Sequence, residues 1–439
     1  MRNVSLRQAL RSERARGREK RGVALLMALI MVVLMTAYIS EFNYSARARI
    51  LSAAHARDDL RAFYLANSGV RIYQLLLAFG NQIGNNQMIQ GMMTNFGLPP
   101  LDGATMVCKD LPFFDTAMLR FLLGSTGMNQ DEQESGLLDL MGFGGGDDDD
   151  DDKPEITAIG SRADQPTLRR SLFDFEGDFK VSCSDESAKI DLNGLAHPNW
   201  LALPGGIREN PVAIMLFAQM SPEEYDPLFE ERLKLDRWEL IARIKDYIDP
   251  GRDGSGTFGG DESRPYDDFE PRYEPKDKLF DTVEEARMVA GVTDEVFATF
   301  APAWTVHNRG YKVNINTASP QMLRALVRAV TDPSIVSDVT IDQFMPMVSV
   351  YRMIVPFRNA DQFIQLVQQG FNNPSGQSVQ GLALNPNTAL VDAIKKQMSV
   401  KSDTFHLTST GFFADSTRSM DVTIRMRRLA PRYLDWRER

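Results

Sequence analysis

From Val23 to Ile39 the chain reads VALLMALIMVVLMTAYI, 17 residues without a charge. With Gly22 and Ser40 the neutral run is 19 residues, about 28 Å as a helix, close to the ~30 Å hydrocarbon core of a bilayer. Ahead of it lie eight bases (Arg2, Arg7, Arg11, Arg14, Arg16, Arg18, Lys20, Arg21) against Glu13 and Glu19. The net charge of the whole chain is −10, so the part beyond residue 22 carries all of the negative excess. By the positive-inside rule residues 1–21 stay cytoplasmic and the remainder crosses. An acidic ectodomain repels phosphate backbones, which argues against nucleic acid as a partner.

Three readings compete for the apolar run. A cleaved secretory signal needs small residues at −3 and −1 after the run, and Ala37-Tyr38-Ile39 offers no such pair. A plain signal anchor is the second. The third is a prepilin-type leader, cut before the run between Gly22 and Val23, with the apolar helix kept on the mature protein. Glycine suits that cut because a protease at the membrane surface needs an extended, uncrowded backbone.

The downstream sequence favours the third reading. Leu60, Phe63, Ala66, Val70, Tyr73 and Leu77 form an apolar stripe at helical spacing. No proline lies between Val23 and Leu98, so one helix can run from the bilayer to about Phe79, first in lipid and then packed on a domain. Within 80–171 lies a GFGGG stretch followed by six aspartates, Asp147 to Asp152. That run repels itself and reads as a solvated loop near 142–153.

Period-two alternation then appears. Phe173, Phe175, Phe179, Val181 and Cys183 alternate with polar residues, as do Ala188, Ile190 and Leu192; a hairpin turning near Asp185-Glu186-Ser187 is expected. Phe405 and Leu407, and then Met420, Val422, Ile424 and Met426, give two more strands. Between them, about 194–400, helix starts dominate: Ser221-Pro222-Glu223-Glu224, Thr282-Val283-Glu284-Glu285 (with Gly291 as its stop), Ser319-Pro320 and Asn359-Ala360-Asp361-Gln362. The expected fold is α+β: a pilin-like long N-terminal helix with an antiparallel sheet, interrupted by a large all-α insertion. The expected parts are a leader (1–22), the spanning half-helix (23–39), its external half (40–80), the first part of the α/β domain (81–193), the insertion (194–400, with modules at about 194–310 and 311–400) and the closing strands (401–439).

Candidate chemistry is sparse. His55, His197, His307 and His406 are far apart in sequence, and no H-E-x-x-H, G-x-S-x-G or C-x-x-C occurs, so no enzyme is expected. Asp246, Asp249, Asp253, Asp261 and Glu262 flank the glycine-rich loop Gly251 to Gly260. Hard cations want six to eight oxygens from a flexible loop, so calcium is the candidate ligand. Its spacing is not that of an EF-hand. The bland alternative is an acidic solvated loop. Cys108 and Cys183 would face an oxidising compartment under this topology; a disulfide between them and two buried thiols both remain open.

The leader, the RGVALLMALI start, Lys312-Val313-Asn314-Ile315-Asn316-Thr317-Ala318 and Asp246-Tyr247-Ile248-Asp249 together resemble the minor pseudopilin K (GspK) family of type II secretion systems. The likeness covers Lys20 to about Tyr73, then patches from Phe173 to Trp436. Most pilins carry glutamate at the fifth mature position; this chain has Met27, a departure the K type shares. A carboxylate in lipid needs a partner, and a subunit with Met27 needs none above it. The resemblance implies cleavage by the prepilin peptidase, N-methylation of Val23, and a place at the pseudopilus tip in the inner membrane and periplasm. It also implies calcium in the helical domain. The implied partners are pseudopilins I and J, through them H and the major pseudopilin, and the inner-membrane assembly platform. Helix-hairpin-helix DNA-binding proteins share the Asn-Thr-Ala segment, but the Leu-Pro-Gly-Ile-Gly hairpin they place next is missing here. A type IV minor pilin is the alternative, disfavoured by the long insertion; a signal-anchored periplasmic binding protein is the second.

Overall fold

The computed structural model describes residues 3–88, 90–91, 102–119, 176–201, 205–251, 262–267, 269–308, 310–372, 378–427 and 430–439, with side chains from Leu25 onward except at 85, 201, 371–372, 378–379, 427 and 430. The acidic run at 147–152, Phe173 and Phe175 lie outside the described residues.

Helix α1 runs unbroken from Asn3 to Asn85. Among the described residues it holds the one stretch long and apolar enough to cross a membrane, and it fits a single-pass anchor with a large C-terminal domain. Its large apolar residues from Leu25 to Ile39 are exposed among the described residues. Further along one face is buried: Ala62, Leu65, Ala66, Val70, Tyr73 and Leu77. The expected stripe is therefore right from Ala66 onward but wrong at Leu60, which is exposed. The buried face centres on Ala62 and Ala66, so Leu60 lies off it.

That face packs on one side of a five-stranded antiparallel sheet. In chain order α2 (Gly103–Asp110), β1 (Phe113–Asp115) and β2 (Asp178–Asp185) come first, and β9 (Thr404–Phe413), β10 (Ser416–Arg427) and β11 (Ala430–Glu438) close the chain. The sheet order is β1-β2-β9-β10-β11. Phe179, Val181, Phe405, Leu407, Met420, Val422 and Ile424 supply its inner face. Cys108 on α2 and Cys183 on β2 are joined in a disulfide, Cα atoms 5.5 Å apart, so α2 is tied covalently to the sheet.

Helix and sheet meet more closely than side chains would permit. A Cβ on Gly411 would stand 2.1 Å from the Ala62 carbonyl oxygen, and one on Gly69 would stand 2.6 Å from Ser409 Oγ. Ser409 Oγ uses that proximity to donate to the Ala66 carbonyl at 2.7 Å.

Between β2 and β9 the chain leaves the sheet and builds a mostly helical head with its own core, from Ile190 to Met398. The head is made twice. The first copy has β3 (Ile190–Asp191), α3 (Pro211–Met220), α4 (Arg237–Ile248), α5 (Asp294–Phe300) and β4 (Trp304–Thr305). The second has β5 (Val313–Asn314), α6 (Pro320–Val330), α7 (Asp338–Ile354), α8 (Ala360–Gln369), a small hairpin β6–β7 (Gly370–Asn372, Ser378–Gln380), α9 (Thr388–Lys396) and β8 (Met398–Ser399). In each copy the first and last strands pair in parallel, Ile190 with Trp304 and Val313 with Met398.

The same asparagine clasp opens both copies. Asp191 Oδ1 accepts from Asn193 N, and Asn314 Oδ1 from Asn316 N, each at 2.9 Å. Asn193 then holds the backbone of Phe280 from both sides (N–H to Oδ1 2.8 Å, Nδ2 to O 3.1 Å). Asn316 holds Phe357 in the same way (2.8 and 3.0 Å).

Several expectations need correction. The run Ala188–Leu192 is not a strand of the five-stranded sheet, and there is no hairpin at Asp185–Ser187. Asp185 Oδ1 accepts from Ser187 N and turns the chain into a 3₁₀ turn, Glu186–Ala188, and Ile190–Asp191 pairs with Trp304–Thr305 inside the head. Every residue from Ile190 to Ala196 is buried, so the alternation marks a core segment rather than a half-buried strand. The Ser221 and Thr282 boxes open no α-helix. Ser221 ends α3, Glu223–Tyr225 is 3₁₀ and Pro227–Leu233 a π-turn, while Val283–Met288 is 3₁₀ without a Thr282 side-chain cap. Ser319 and Asn359 do cap helices, accepting from Met322 N and Gln362 N. Gly291 takes φ +100°, which glycine adopts without strain.

Both ends of the head meet at one carboxylate. Asp185 Oδ2 accepts from the hydroxyls of Thr317 and Ser402, Asn314 Nδ2 donates to Ser402 Oγ at 2.6 Å, and Asp102 Oδ2 accepts from Ser402 N at 2.9 Å. Burial pushes the Asp185 pKa up from 3.8 to about 6. A raised carboxyl pKa gives stability that is complete below 3.8 and lost as pH rises through about 6, roughly 3 kcal/mol at most.

Two tests follow from this packing. Gly411→Ala destabilises the full chain in detergent by about 1–3 kcal/mol or more, whereas Gly91→Ala, whose new Cβ meets nothing within 4 Å, is neutral or slightly stabilising; thermal melts read both. For the junction, the parent's melting temperature drops between pH 4 and pH 6 relative to Asp185→Asn; parallel curves would remove Asp185 as the cause.

Candidate metal centre in the head

Helix α4 is fixed at its start by Asp236, whose carboxylate accepts from Trp238 N (2.8 Å) and Glu239 N (3.3 Å). Leu240, Ile241 and Ile244 bury one face, and that burial carries the last turn inward with Asp246 on it. Asp249 caps the end, its N–H donating to the Lys245 carbonyl at 3.0 Å. Glu262 returns to the same place after the glycine-rich loop. All three carboxylates are buried, with one oxygen of each within 4.8 Å of the others. Asp253 and Asp261 lie outside the described residues.

The electrostatics are unbalanced. Lys245 Nζ lies 2.6 Å from Asp249 Oδ2 and 3.8 Å from Asp246 Oδ1, and Gly251 N donates to Asp249 Oδ1 at 3.2 Å. One ammonium thus faces three acids at the negative end of a helix. Glu262 Oε1 is buried and, among the described residues, has no hydrogen-bond partner. Burial first, and then the charges of Asp249 and Asp246, push the Glu262 pKa up to about 7. An orphaned buried oxygen beside two more carboxylates is a donor set of the hard-oxygen kind that calcium takes. Asp246, Asp249 and Glu262 would hold the ion. Its chemistry there is neutralisation and cross-linking: it would tie the end of α4 to the far side of the loop.

The loop it would tie is aromatic as well as acidic. Tyr247 stacks on Phe280 at 5.7 Å and lies 6.0 Å from Tyr266, itself 5.1 Å from Tyr273. Tyr247 belongs to the Asp246–Asp249 motif read from the sequence, whereas Tyr266, Tyr273 and Phe280 carry no motif and were missed; the Asn193 clasp fixes the backbone of Phe280 beside them.

The other candidates are placed as follows. Two histidines that are distant in sequence, His307 and His406, line one cleft of about 420 Å³ between head and sheet. Its ionised groups are engaged with each other: Lys189 with Glu186 at 2.6 Å, Arg439 with Asp421 at 3.1 Å, Arg437 with Asp435 at 2.9 Å. Buried Arg425 adds a bond from the sheet to the His307 carbonyl. This cleft clamps head to sheet. Met27 is exposed on the apolar stretch of α1. The backbone is helical across Gly22–Val23, where an extended segment suits cleavage. A peptidase would have to unwind it, which a helical glycine makes easier by about 1 kcal/mol relative to alanine.

Residues 209–309, most of the first head copy, match the family model for protein K of the type II secretion system, first domain. No curated protein matches the chain. Among solved structures, a chain of the GspK-GspI-GspJ complex from the enterotoxigenic Escherichia coli type 2 secretion system is similar at 19% identity. The match covers 60% of this chain and 80% of that one, with a TM-score of 0.42. The protein K match falls on the stretch that carries the Asp246–Asp249 motif, in agreement with the resemblance drawn from the sequence.

If the cluster takes calcium, millimolar calcium raises the melting temperature of the full chain and a chelator lowers it. The gain is about 2.7 kcal/mol at a hundredfold excess over the dissociation constant. Asp249→Asn abolishes this response; a melt indifferent to calcium and chelator alike overturns the assignment.

Proposed function

We propose that this chain is a minor pseudopilin of the K type, anchored in the inner membrane with its sheet and head in the periplasm. In this reading it starts or caps the pseudopilus that drives protein export across the outer membrane. The observation that carries the reading is the protein K match over 209–309, set on a chain whose remaining parts are an apolar helix continuous with a sheet-packed one. Its work is assembly rather than catalysis.

The chemistry of each part fits that role. Prepilin peptidase cuts between Gly22 and Val23 and methylates the new amine. The mature helix stays in the bilayer until it is drawn out, and the exposed apolar residues of α1 then pack against neighbouring pilin helices. Met27 leaves the subunit without the carboxylate that elsewhere seeks the amine of a neighbour, so it sits first. The companions in this reading are pseudopilins I and J, those named with K in the enterotoxigenic complex, then H, the major pseudopilin and the assembly platform. Calcium at Asp246, Asp249 and Glu262 stiffens the head.

Mass spectrometry of the protein purified from membranes gives an N-terminus at N-methylated Val23; an intact Met1 excludes every pilin reading, and a start beyond Ser40 excludes the anchor. Deleting the gene halts export of secreted enzymes and spares twitching motility. The reverse outcome assigns the chain to a type IV pilus.

A further inference from the structure

The head and the sheet have separate apolar cores. What joins the two bodies is the tether at Asp185 and Ser402 and, beside it, a polar seam. Across that seam buried Arg425 donates to the His307 carbonyl, and Arg437 lies 3.5 Å from Glu284. Two cavities interrupt it. One is the cleft of about 420 Å³ that holds His406. The other, of about 520 Å³, is lined by Phe280 and Tyr311 from the head and by Arg432 and Tyr433 from β11. His307 lines both, so its half-buried imidazole stands between two spaces roomy and polar enough for water. A polar, hollow interface beside two adjacent chain threads is the geometry of a hinge.

The charges around His307 are matched without it. In the first cleft Glu186 is held by Lys189, Asp435 by Arg437 and Asp421 by Arg439, while Arg287 pairs with Asp294. In the second, Asp281 is held by Lys276 at 2.8 Å and Asp191 Oδ1 accepts from Asn193 N. Arg425, Arg432 and His197 complete its ionisable groups. Among the described residues His307 makes its hydrogen bonds through the backbone alone, its N–H donating to Thr305 Oγ1 at 3.2 Å and its carbonyl accepting from Arg425. His406 differs. Its Nδ1 lies 3.0 Å from Thr423 Oγ1 and its Nε2 3.9 Å from Asp421, so a proton there meets a carboxylate. A proton on His307 meets only acids that already have a cation.

We propose that His307 is the latch of a pH-sensitive hinge: neutral, it closes the seam, and protonated, it opens the seam and lets the head swing about the Asp185–Ser402 tether. A charge without a free counter-ion has to be hydrated, and the two cavities on either side of the ring are where that water enters. Burial first holds the His307 pKa below its usual 6.5; His406 and Arg425 lower it too, against the pull of Glu186 and Asp435. A lowered histidine pKa gives stability that is complete above about 6.5 and lost as pH falls through the folded value. The tether runs the other way, since the contribution of Asp185, with its raised pKa, is complete in acid. Acid therefore loosens the seam while the head stays attached. The device belongs to the chain itself and does not depend on the secretion reading.

The test uses the full chain in detergent with spin labels at Glu231→Cys in the head and Asp415→Cys at the β9–β10 turn, both exposed, the native cysteines being paired. The distances between the labels are expected to shift and broaden between about pH 7.5 and about pH 5, with a midpoint below the ordinary histidine value. His307→Gln keeps the distribution of the higher pH throughout, and His406→Gln shifts as the parent does. The imidazole C–H resonance of His307, one of four histidines, titrates in the parent with the same midpoint as the distances. Distances in the parent that ignore pH, or a His307 titration with a separate midpoint, overturn the latch without recourse to any variant. A full shift in a folded His307→Gln chain, or its loss in His406→Gln, overturns it as well.

Discussion

The close seat of α1 on the sheet is the contact on which the other parts depend. One helix has to suit two surroundings: an exposed apolar stretch along Leu25–Ile39 that fits a membrane anchor, and a protein core from Ala62 onward. In lipid any apolar surface serves, but on the sheet the helix must come near enough for Ser409 to reach the Ala66 carbonyl. Only glycine at 69 and 411 allows that distance. The sheet is thereby built along the helix, and the head, which begins and ends in the sheet, inherits its position from the same contact.

The head is an insertion whose two ends are held at one place. Asp185 closes β2, Ser402 precedes β9, and a hydrogen bond joins them; Thr317 brings the second copy to the same carboxylate. The copies share an asparagine clasp and a parallel strand pair but have diverged at one loop. In the first copy the excursion before Phe280 passes over the end of α4 and brings Glu262 to Asp246 and Asp249. In the second its absence leaves the end of α7 bare. A single difference in loop length thus separates a candidate cation centre from an apolar surface.

Much of this was legible in the sequence, and the failures have physical reasons. The apolar run, the stripe from Ala66 to Leu77, the strands around Val181, Leu407 and Val422, and the caps at Ser319 and Asn359 depend on local periodicity or local hydrogen bonds. Ala188–Leu192 misled because alternation cannot tell a sheet strand from a segment buried within a helical core. Ser221 and Thr282 misled because capping chemistry also suits 3₁₀ turns. β11, reading APRYLDWRE, was missed: its charged residues hide an edge strand. The duplication had a signal, Lys-Ile-Asp-Leu-Asn at 189–193 against Lys-Val-Asn-Ile-Asn at 312–316, but its meaning appears only when both asparagines are seen gripping a phenylalanine backbone. Of the candidate site, Asp246, Asp249 and Glu262 were named in advance and Tyr247 lay in the same motif, while Tyr266, Tyr273 and Phe280 had no pattern to find.

Because the head's entry and exit threads lie side by side at Asp185 and Ser402, it is mechanically a pendant. Tension along the stem can travel through helix and sheet without passing through it. Such an appendage is free to be enlarged, trimmed or exchanged for another over evolutionary time, while the rod that carries it keeps its geometry.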